Sequence, residues 1–293
     1  MDIGIIGGGA VGLLTAAYFA KENHRVTIYV NRESQMTLIR KQGIILLPLQ
    51  ESFYIEARLV SELKREDLLF IGVKQYHLEE VFPVLQEKSG APLVFMQNGM
   101  GHIPLISGLD VPQAILTAVT EHGAVKMADN KVEHTGMGNM KMAVVKGELK
   151  NERDVQSALD RDWFPVEIVE SWFSIMAEKL VVNAVINPLT AIFQVENGMI
   201  LTNPHLAVLA KRLCAEASGV LGLDEKKQWI RVLEIIEKTG ANHSSMKKDI
   251  QLGRKTEIDG ISGYLLSQSS VYLPYTTFAY QSVKALESKG ERG

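Results

Sequence analysis

The segment from Lys179 to Asn187 places three polar side chains in an otherwise apolar helical pattern. Lys179, Asn183 and Asn187 are spaced i, i+4, i+8, with valine, leucine, alanine and isoleucine residues between them. At this spacing the three side chains form one stripe along a helix. Burying them without partners would cost on the order of several kcal/mol, so something polar must meet them. We favour a ligand; a structural network of other side chains is the alternative.

Residues Gly7 to Gly12 lie between a short apolar segment and a helix of small and apolar residues. Gly7, Gly9 and Gly12 form the pattern G-x-G-x-x-G. Such glycines allow a tight turn, the close approach of a pyrophosphate, and close packing of the helix on the strand. The start of the helix adds unpaired N–H groups that attract phosphates. The segment therefore predicts a dinucleotide-binding site, with a purely structural turn as the alternative.

The residues after the second predicted strand, 24–30, bear on which dinucleotide binds. An NAD site usually has an acidic residue there for the ribose hydroxyls, whereas this chain has Asn31 and Arg32. A guanidinium can pair with a 2′-phosphate that an acid would repel. Arg32 therefore favours NADP(H). In the alternative, Arg32 is a solvated surface residue and Glu33 binds the ribose.

Three further polar residues follow predicted apolar strands, namely Lys74, Asn98 and His122. Ligands of open α/β sheets bind beyond the carboxyl ends of the strands, so Lys74 and Asn98 are expected at the cofactor site. A solvated loop lysine and a plain Asn-Gly turn are the alternatives. A lone histidine at a strand end is more often structural, and we interpret His122 in that way.

The composition indicates a globular protein of two domains. The 293 residues include 46% hydrophobic and 22% charged residues, with a net charge of −3. This charge balance favours neither nucleic acid nor a membrane surface as a partner. Cys214 is the single cysteine, and no histidines are spaced as metal ligands, so we expect neither a disulfide nor a metal. With no leader and no uninterrupted apolar run of about 18 residues, we expect a cytoplasmic protein.

The order of elements predicts an α/β fold, with an N-terminal Rossmann-type dinucleotide-binding domain (1–168) followed by an all-α C-terminal domain (169–293). About six strands form the expected sheet, and three antiparallel strands at 124–128, 131–136 and 140–145 complete it. The helices expected in the second half are 171–187, 203–222, 224–239, 259–270 and 276–288. Pro188 is expected to end or kink the first of them.

The sequence resembles the ketopantoate reductase family in both halves. The resemblance rests on the glycine segment, on Lys74, and on Asn98-Gly99-Met100-Gly101. It also rests on the run KLVVNAVINPLTAIF from Lys179 to Phe193, with Asn197-Gly198 after it. In the last part of the chain it includes Ser244-Ser245-Met246, Asp249 and Thr256-Glu257-Ile258-Asp259.

This resemblance implies reduction of ketopantoate to (R)-pantoate by NADPH, in the synthesis of pantothenate and coenzyme A. Lys179 would be the general acid, since an ammonium both stabilises a developing alkoxide and can protonate it. The implied substrate contacts are Asn98, Asn183, Asn187, Asn197 and Ser245. The implied cofactor contacts are Gly7, Gly8, Gly9, Ala10, Val11, Gly12, Arg32, Lys74, Asn98, Ala124 and Glu257. The family often has its basic residue where this chain has Asn31, which leaves the strength of the NADPH preference open.

Two other kinds of function agree with the same patterns. One is reduction of another branched 2-keto acid, or an opine-type condensation of a keto acid with an amine. The other is a non-catalytic NADPH-binding regulator, which would have no use for a buried Lys179. In each case the ligands are small molecules, and the apolar helical half is compatible with a homodimer.

Overall fold

The computed structural model describes residues 1–290, which form two compact units. The first unit contains Met1–Gln97 and Ile103–Trp172, and the second contains Asn98–His102 and the chain from Phe173 onward. The first unit is built on a largely parallel sheet and the second is helical, so the expected fold class is confirmed. The assignment of Asn98–His102 to the second unit is a feature that no sequence pattern indicates.

The first unit contains twelve strands and five helices. The strands are β1 Asp2–Ile6, β2 Arg25–Val30, β3 Ile44–Leu47, β4 Glu51–Phe53, β5 Glu56–Leu59, β6 Leu68–Ile71, β7 Leu93–Phe95, β8 Ile115–Thr120, β9 Gly123–Ala128, β10 Lys131–Gly136, β11 Met140–Lys146 and β12 Val166–Ile168. The helices are α1 Ala10–Lys21, α2 Glu33–Gln42, α3 Leu78–Lys88, α4 Ile103–Ser107 and α5 Glu152–Leu159. Two 3₁₀ turns occupy Val60–Glu62 and Gln75–His77.

The main sheet has eight strands in the order β12-β11-β8-β7-β6-β1-β2-β5. The strands from β8 to β5 in this order are parallel, and β11 pairs antiparallel with β8. All four residues of β6 are buried, as expected for a parallel strand covered on both faces. The carboxyl ends of β1, β2, β6 and β7 therefore lie along one edge, where the sequence places its candidate cofactor residues.

A second sheet of four strands has the order β4-β3-β10-β9. The expectation that 124–128 and 131–136 complete the main sheet is therefore wrong, and of the three segments only 140–145 does so. The reason is α1, which is buried continuously from Gly12 to Phe19 and contacts β1 and β2 as well as β3, β9 and β10. A helix that is apolar on all sides needs a layer on each side, and the second sheet supplies one.

The second unit contains seven helices within the described chain. They are α6 Trp172–Phe193, α7 Met199–Thr202, α8 Pro204–Leu221, α9 Glu225–Lys238, α10 Ser245–Gln251, α11 Ser262–Gln268 and α12 Pro274–Gly290, with a 3₁₀ turn at Ile258–Gly260. Helix α8 contacts α7, α9, α11 and α12. Most of the expected helices are present, and α10 is a helix that the sequence analysis did not predict.

Helix α6 continues past Pro188 to Phe193. The sequence predicted an end or a kink of the helix at Asn187, and the prediction of an end is wrong. Pro188, Leu189 and Ala191 are all buried, and this packing outweighs the one backbone hydrogen bond that a proline removes. Among residues 1–290, α6 is the one helix whose length and composition would allow it to cross a membrane. Of its most apolar window, 67% is buried inside the protein, as in the core helix of a soluble protein.

Candidate active site

The glycine loop joins β1 to α1 and has the geometry of a phosphate cradle. Gly7 has a φ of +115°, and a Cβ on it would lie 2.8 Å from the carbonyl carbon of Gly72. A Cβ on Gly12 would lie 2.0 Å from the Gly7 oxygen, so the close packing of helix on strand requires glycine there. A Cβ on Gly9 would meet nothing nearer than 4.0 Å, which leaves this backbone accessible to a ligand.

Helix α1 begins at this accessible backbone. Its N-cap is Gly9, which offers no capping side chain, and its first turn contains no acidic residue. The first N–H groups of a helix have no partners within the helix and attract anions. Gly7, Gly8, Gly9, Ala10, Val11 and Gly12 thus fit the pyrophosphate of a dinucleotide.

A charged cluster lies beside the loop at the carboxyl end of β2. The Arg32 guanidinium is 2.6 Å from a carboxylate oxygen of Asp129, and the Lys126 ammonium is 2.9 Å from the same oxygen. Lys126 Nζ and Gln35 Nε2 both donate to the Gly8 carbonyl, at 3.0 and 2.9 Å. The hydrogen bond from Arg32, and then that from Lys126, lowers the pKa of Asp129. The sequence analysis named Arg32 but not the other three side chains.

The position of Lys126 in β9 is a sequence signal that could have identified it as a candidate cofactor contact. It is two positions beyond Ala124 in β9, and residues two apart in a strand point to the same face. Because Ala124 was already a candidate cofactor contact, the next residue on that face was a candidate as well. Asp129 lies in the turn after β9 and has no comparable local signal.

Lys74 is the N-cap of the 3₁₀ turn that follows β6, at the same edge of the main sheet. The loop before it is held by Gln97, whose side-chain amide donates to the carbonyls of Ile71 and Val73, each at 2.9 Å. Gln97 follows β7, so a side chain from the next strand fixes the path of the loop that presents Lys74. Sequence reasoning did not single out this role of Gln97.

Asn98 and Glu257 are brought together in the second unit. Asn98 Nδ2 donates to Glu257 Oε2 at 3.1 Å, and the Glu257 side chain is buried. The backbone nearby is fixed as well, since Met100 N donates to Gly260 O at 2.9 Å. Gly99 has a φ of +77°, and a Cβ on it would lie 2.2 Å from the Gly260 oxygen. The Asn-Gly pair therefore packs tightly against the 3₁₀ turn after Glu257.

Helix α6 presents the polar stripe. Its residues from Leu180 to Ala191 are buried with the exception of Asn183, which is half-buried like Lys179. Asn187 is 9% exposed, one helical turn further into the protein than Asn183. Lys179 and Asn183 are thus the more accessible end of the stripe, and Asn187 is its buried end.

Polar side chains also lie around the carboxyl-terminal part of α6. The hydroxyl oxygens of Thr190 and Ser244 are 2.6 Å apart, and Ser244 Oγ accepts from Lys247 N as the N-cap of α10. Ser245 is the exposed first residue of that helix, so it has no part in the buried contact. Lys247 is only 4% exposed, and its ammonium is 2.8 Å from His243 Nδ1. The sequence analysis did not anticipate this buried lysine.

Asn197 is buried and is held by two hydrogen bonds. Its side-chain amide donates to Thr239 Oγ1 at 3.0 Å, and its backbone N–H donates to Asn242 O at 3.0 Å. Its Oδ1 atom is buried without a hydrogen-bond partner among residues 1–290. A buried acceptor of this kind suits a ligand donor such as a hydroxyl group.

His122 has the structural surroundings expected of it. Its ring stacks on Phe164, with centroids 4.4 Å apart, and its Nδ1 lies 3.1 Å from His134 Nε2. The other ring nitrogen of His134 is 2.6 Å from the Tyr18 hydroxyl. Burial, and then the His134 charge, lowers the pKa of His122 to about 4. A neutral, stacked ring of this kind is a poor proton donor at neutral pH.

Known protein families match both halves of the chain. The model of ketopantoate reductase PanE/ApbA matches residues 3–147, and the model of its C-terminal region matches residues 171–287. The 2-dehydropantoate 2-reductase of Bacillus subtilis is 38% identical over 98% of each chain. That of Listeria innocua is 37% identical over 100% of this chain and 98% of its own.

Solved structures show the same fold. A crystal structure of the probable 2-dehydropantoate 2-reductase panE from B. subtilis is 39% identical, covers 98% of this chain and 100% of its own, and has a TM-score of 0.85. D-mandelate dehydrogenase with NADH and anilino(oxo)acetate has a TM-score of 0.92 at 21% identity, with 99% of each chain covered. A dimeric ketopantoate reductase from Staphylococcus aureus has a TM-score of 0.83 at 19% identity, covering 99% of this chain and 100% of its own.

The alignments with the B. subtilis and L. innocua reductases cover nearly the whole of both chains, and the family models match both the sheet and the helical parts. The chain therefore belongs to the ketopantoate reductase family, the NADP(H)-dependent oxidoreductases named 2-dehydropantoate 2-reductases.

Proposed function

We propose that this protein reduces 2-dehydropantoate to (R)-pantoate with NADPH, as a step in pantothenate and coenzyme A synthesis. The observation that carries the proposal is the stripe on α6, where Lys179 and Asn183 stay accessible in a helix that is otherwise buried along this length. Placing an ammonium and two amides in a buried helix costs free energy unless polar partners compensate, and we propose the substrate as one such partner. The full-length similarity to 2-dehydropantoate 2-reductases supports the choice of substrate.

In this proposal Lys179 is the general acid. NADPH, when bound, supplies the hydride to the keto carbon. As negative charge develops on the keto oxygen, the Lys179 ammonium stabilises it and then donates a proton to it. Asn183 and Asn187 extend the same stripe toward the substrate's hydroxyl and carboxylate, and Asn197 and Ser245 complete these contacts. The unpartnered Oδ1 of Asn197 supports its role as an acceptor for a substrate hydroxyl.

The cofactor contacts are proposed on the same basis. The glycine loop from Gly7 to Gly12 holds the pyrophosphate, and Arg32 binds the adenosine 2′-phosphate. Lys74, Ala124 and Glu257 contact the rest of the cofactor, and Asn98 touches both cofactor and substrate. The hydrogen bond between Asn98 and Glu257 supports a shared role for these two residues.

We further propose that residues 1–168 form the NADP-binding Rossmann domain and residues 169–293 the helical substrate and catalytic domain, with Asn98 also contacting the substrate and Glu257 also contacting the cofactor. The ligands are small molecules, and we infer a cytoplasmic enzyme. A homodimer is supported by the dimeric S. aureus reductase, which shares the fold.

The test is oxidation of NADPH at 340 nm by the purified protein, with ketopantoate and a panel of other branched and aromatic 2-keto acids. We expect turnover of ketopantoate, and a fall in kcat of about 100-fold or more for Lys179→Ala. Lys226→Ala changes an exposed lysine on α9 and serves as the matched control.

Four outcomes would contradict parts of the proposal. Turnover of another keto acid in place of ketopantoate would remove the substrate assignment, and faster turnover with an added amine would indicate an opine-type enzyme. Cofactor binding without reduction of any keto acid would favour a regulator. An unchanged rate for Lys179→Ala would remove the general-acid role.

A further inference from the structure

Two cations and one carboxylate converge beside the glycine loop from three separate elements. Arg32 lies between β2 and α2 as the N-cap of α2, Lys126 lies within β9, and Asp129 lies in the turn between β9 and β10. Both cations contact the same Asp129 oxygen, at 2.6 and 2.9 Å. Arg32 and Asp129 are 97 positions apart, so only the fold brings them together.

The position of this cluster matches one particular part of a dinucleotide. In a sheet of this kind, the ribose next to the adenine lies at the end of the second strand. The Gly8 carbonyl, within the phosphate loop, accepts hydrogen bonds from both Lys126 and Gln35. The cluster is therefore joined directly to the loop that holds the pyrophosphate, at the place where NADP carries its extra phosphate.

The charges of the cluster favour an anion. Two cations face one carboxylate, which leaves an excess of one positive charge. The side chains are 51% exposed for Arg32, 29% for Lys126 and 30% for Asp129, so a ligand can reach all three. The Asp129 carboxylate accepts from both cations, and a phosphate oxygen would accept from the same two donors.

We propose that Lys126 is a second ligand of the adenosine 2′-phosphate, and that the Asp129 carboxylate holds the place of that phosphate until the cofactor displaces it. The inference rests on the proposed use of NADPH and deepens it. Lys126 adds a second positive charge for the phosphate. Asp129 weakens phosphate binding, because its carboxylate repels the phosphate and its ion pairs with Arg32 and Lys126 must break before the phosphate binds. The preference for NADPH over NADH is thus set by Arg32, Lys126 and Asp129 together.

The test measures binding without catalysis, using the full-length protein and two fragments of the cofactor. Isothermal titration calorimetry compares adenosine 2′,5′-bisphosphate with adenosine 5′-monophosphate, which differ only in the 2′-phosphate. For Lys126→Met we expect the affinity for the bisphosphate to fall about tenfold or more, and that for the monophosphate to stay nearly unchanged. For Asp129→Asn, which keeps the shape of the side chain, we expect the bisphosphate to bind several-fold more tightly.

Lys131→Met is the matched control, because Lys131 lies in the neighbouring strand β10 and, within residues 1–290, makes no hydrogen bond or ion pair with Asp129. Thermal unfolding of each variant shows whether the fold is retained. If Lys126→Met binds the bisphosphate as wild type does, the role of Lys126 is overturned. If Asp129→Asn weakens the monophosphate, Asp129 is a ribose ligand and its role as a stand-in for phosphate is overturned.

The same titrations separate failure of this inference from failure of the proposed function. If wild type prefers the bisphosphate but Lys126→Met does not alter that preference, only the inference fails. If wild type shows no preference for the bisphosphate, the use of NADPH fails, and the inference fails with it. Neither measurement depends on a keto acid or on Lys179.

Discussion

Asn98 Nδ2 donates to Glu257 Oε2 at 3.1 Å, although 159 positions separate the two residues in the chain. The sequence motifs that contain them fall in different halves, and each was a separate candidate for ligand binding. Their pairing joins the segment after β7 to the 3₁₀ turn before α11 within one compact unit.

The first prediction concerns this pair. Asn98→Asp would place a second carboxylate at hydrogen-bond distance from Glu257, and we expect the free energy of unfolding to fall by about 1 to 3 kcal/mol at pH 8. Adding Glu257→Gln exchanges donor and acceptor and should recover most of that loss. Urea unfolding of the two single variants and the double variant forms a double-mutant cycle. Additive effects in that cycle would show that the two side chains do not interact.

The second prediction separates folding from cofactor binding at the glycine loop. A Cβ on Gly9 meets nothing nearer than 4.0 Å, so Gly9→Ala should fold normally but bind NADPH about tenfold or more weakly, because the methyl group occupies the approach of the pyrophosphate. A Cβ on Gly12 would lie 2.0 Å from the Gly7 oxygen, so Gly12→Ala should lose about 1 to 3 kcal/mol of stability. Thermal unfolding and NADPH titration check both. Gly90→Ala, with open space at its Cβ, is the control.

The third prediction distinguishes two adjacent serines. Ser244 caps α10 and lies 2.6 Å from the Thr190 hydroxyl, so Ser244→Ala should lower the free energy of unfolding by about 1 kcal/mol. Ser245 is exposed and has no such contact, so Ser245→Ala should change stability by less than about 0.5 kcal/mol. If Ser245 binds the keto acid, its variant should instead raise KM. Equal loss of stability in the two variants would contradict this assignment.

The fourth prediction concerns stability in mild acid. His102 is fully buried, its ring nitrogens have no hydrogen-bond partner in the described part of the chain, and burial lowers its pKa to about 3. In the unfolded chain this histidine has a pKa near 6.5, so below that pH it binds a proton there but stays neutral in the folded protein. Stability that is present above about pH 6.5 is therefore lost as the pH falls. At pH 5 the loss from one such histidine is about 2 kcal/mol.

His102→Leu tests this directly, since leucine is apolar and similar in size. We expect the free energy of unfolding of the variant to fall less between pH 7.5 and pH 5 than that of wild type, by about 2 kcal/mol in urea titrations. Identical pH dependence in the two proteins would show that His102 is not the source. His205→Leu is the control, because the His205 side chain is exposed.

Local patterns predicted the parts of the molecule in which neighbours along the chain determine the structure. The strand, glycine turn and helix at the N-terminus follow from adjacent residue types, and the Lys179 stripe follows from the period of an α-helix. The parts that were wrong involve tertiary packing. Helix α6 continues past Pro188 because the residues around it are buried. Strands β9 and β10 belong to a second sheet, which covers a face of α1 that the main sheet does not.

The sequence by itself determined the fold class, the dinucleotide-binding loop and the polar stripe of α6, because each is encoded by short-range spacing. Only the tertiary structure decided that Lys126 and Asp129 meet Arg32 and that Asn98 meets Glu257. Contacts between residues about a hundred or more positions apart depend on how the elements pack, and a single sequence has no local periodicity that records them. The candidate residues of the active site were thus largely named by the sequence, while their partners were supplied by the fold.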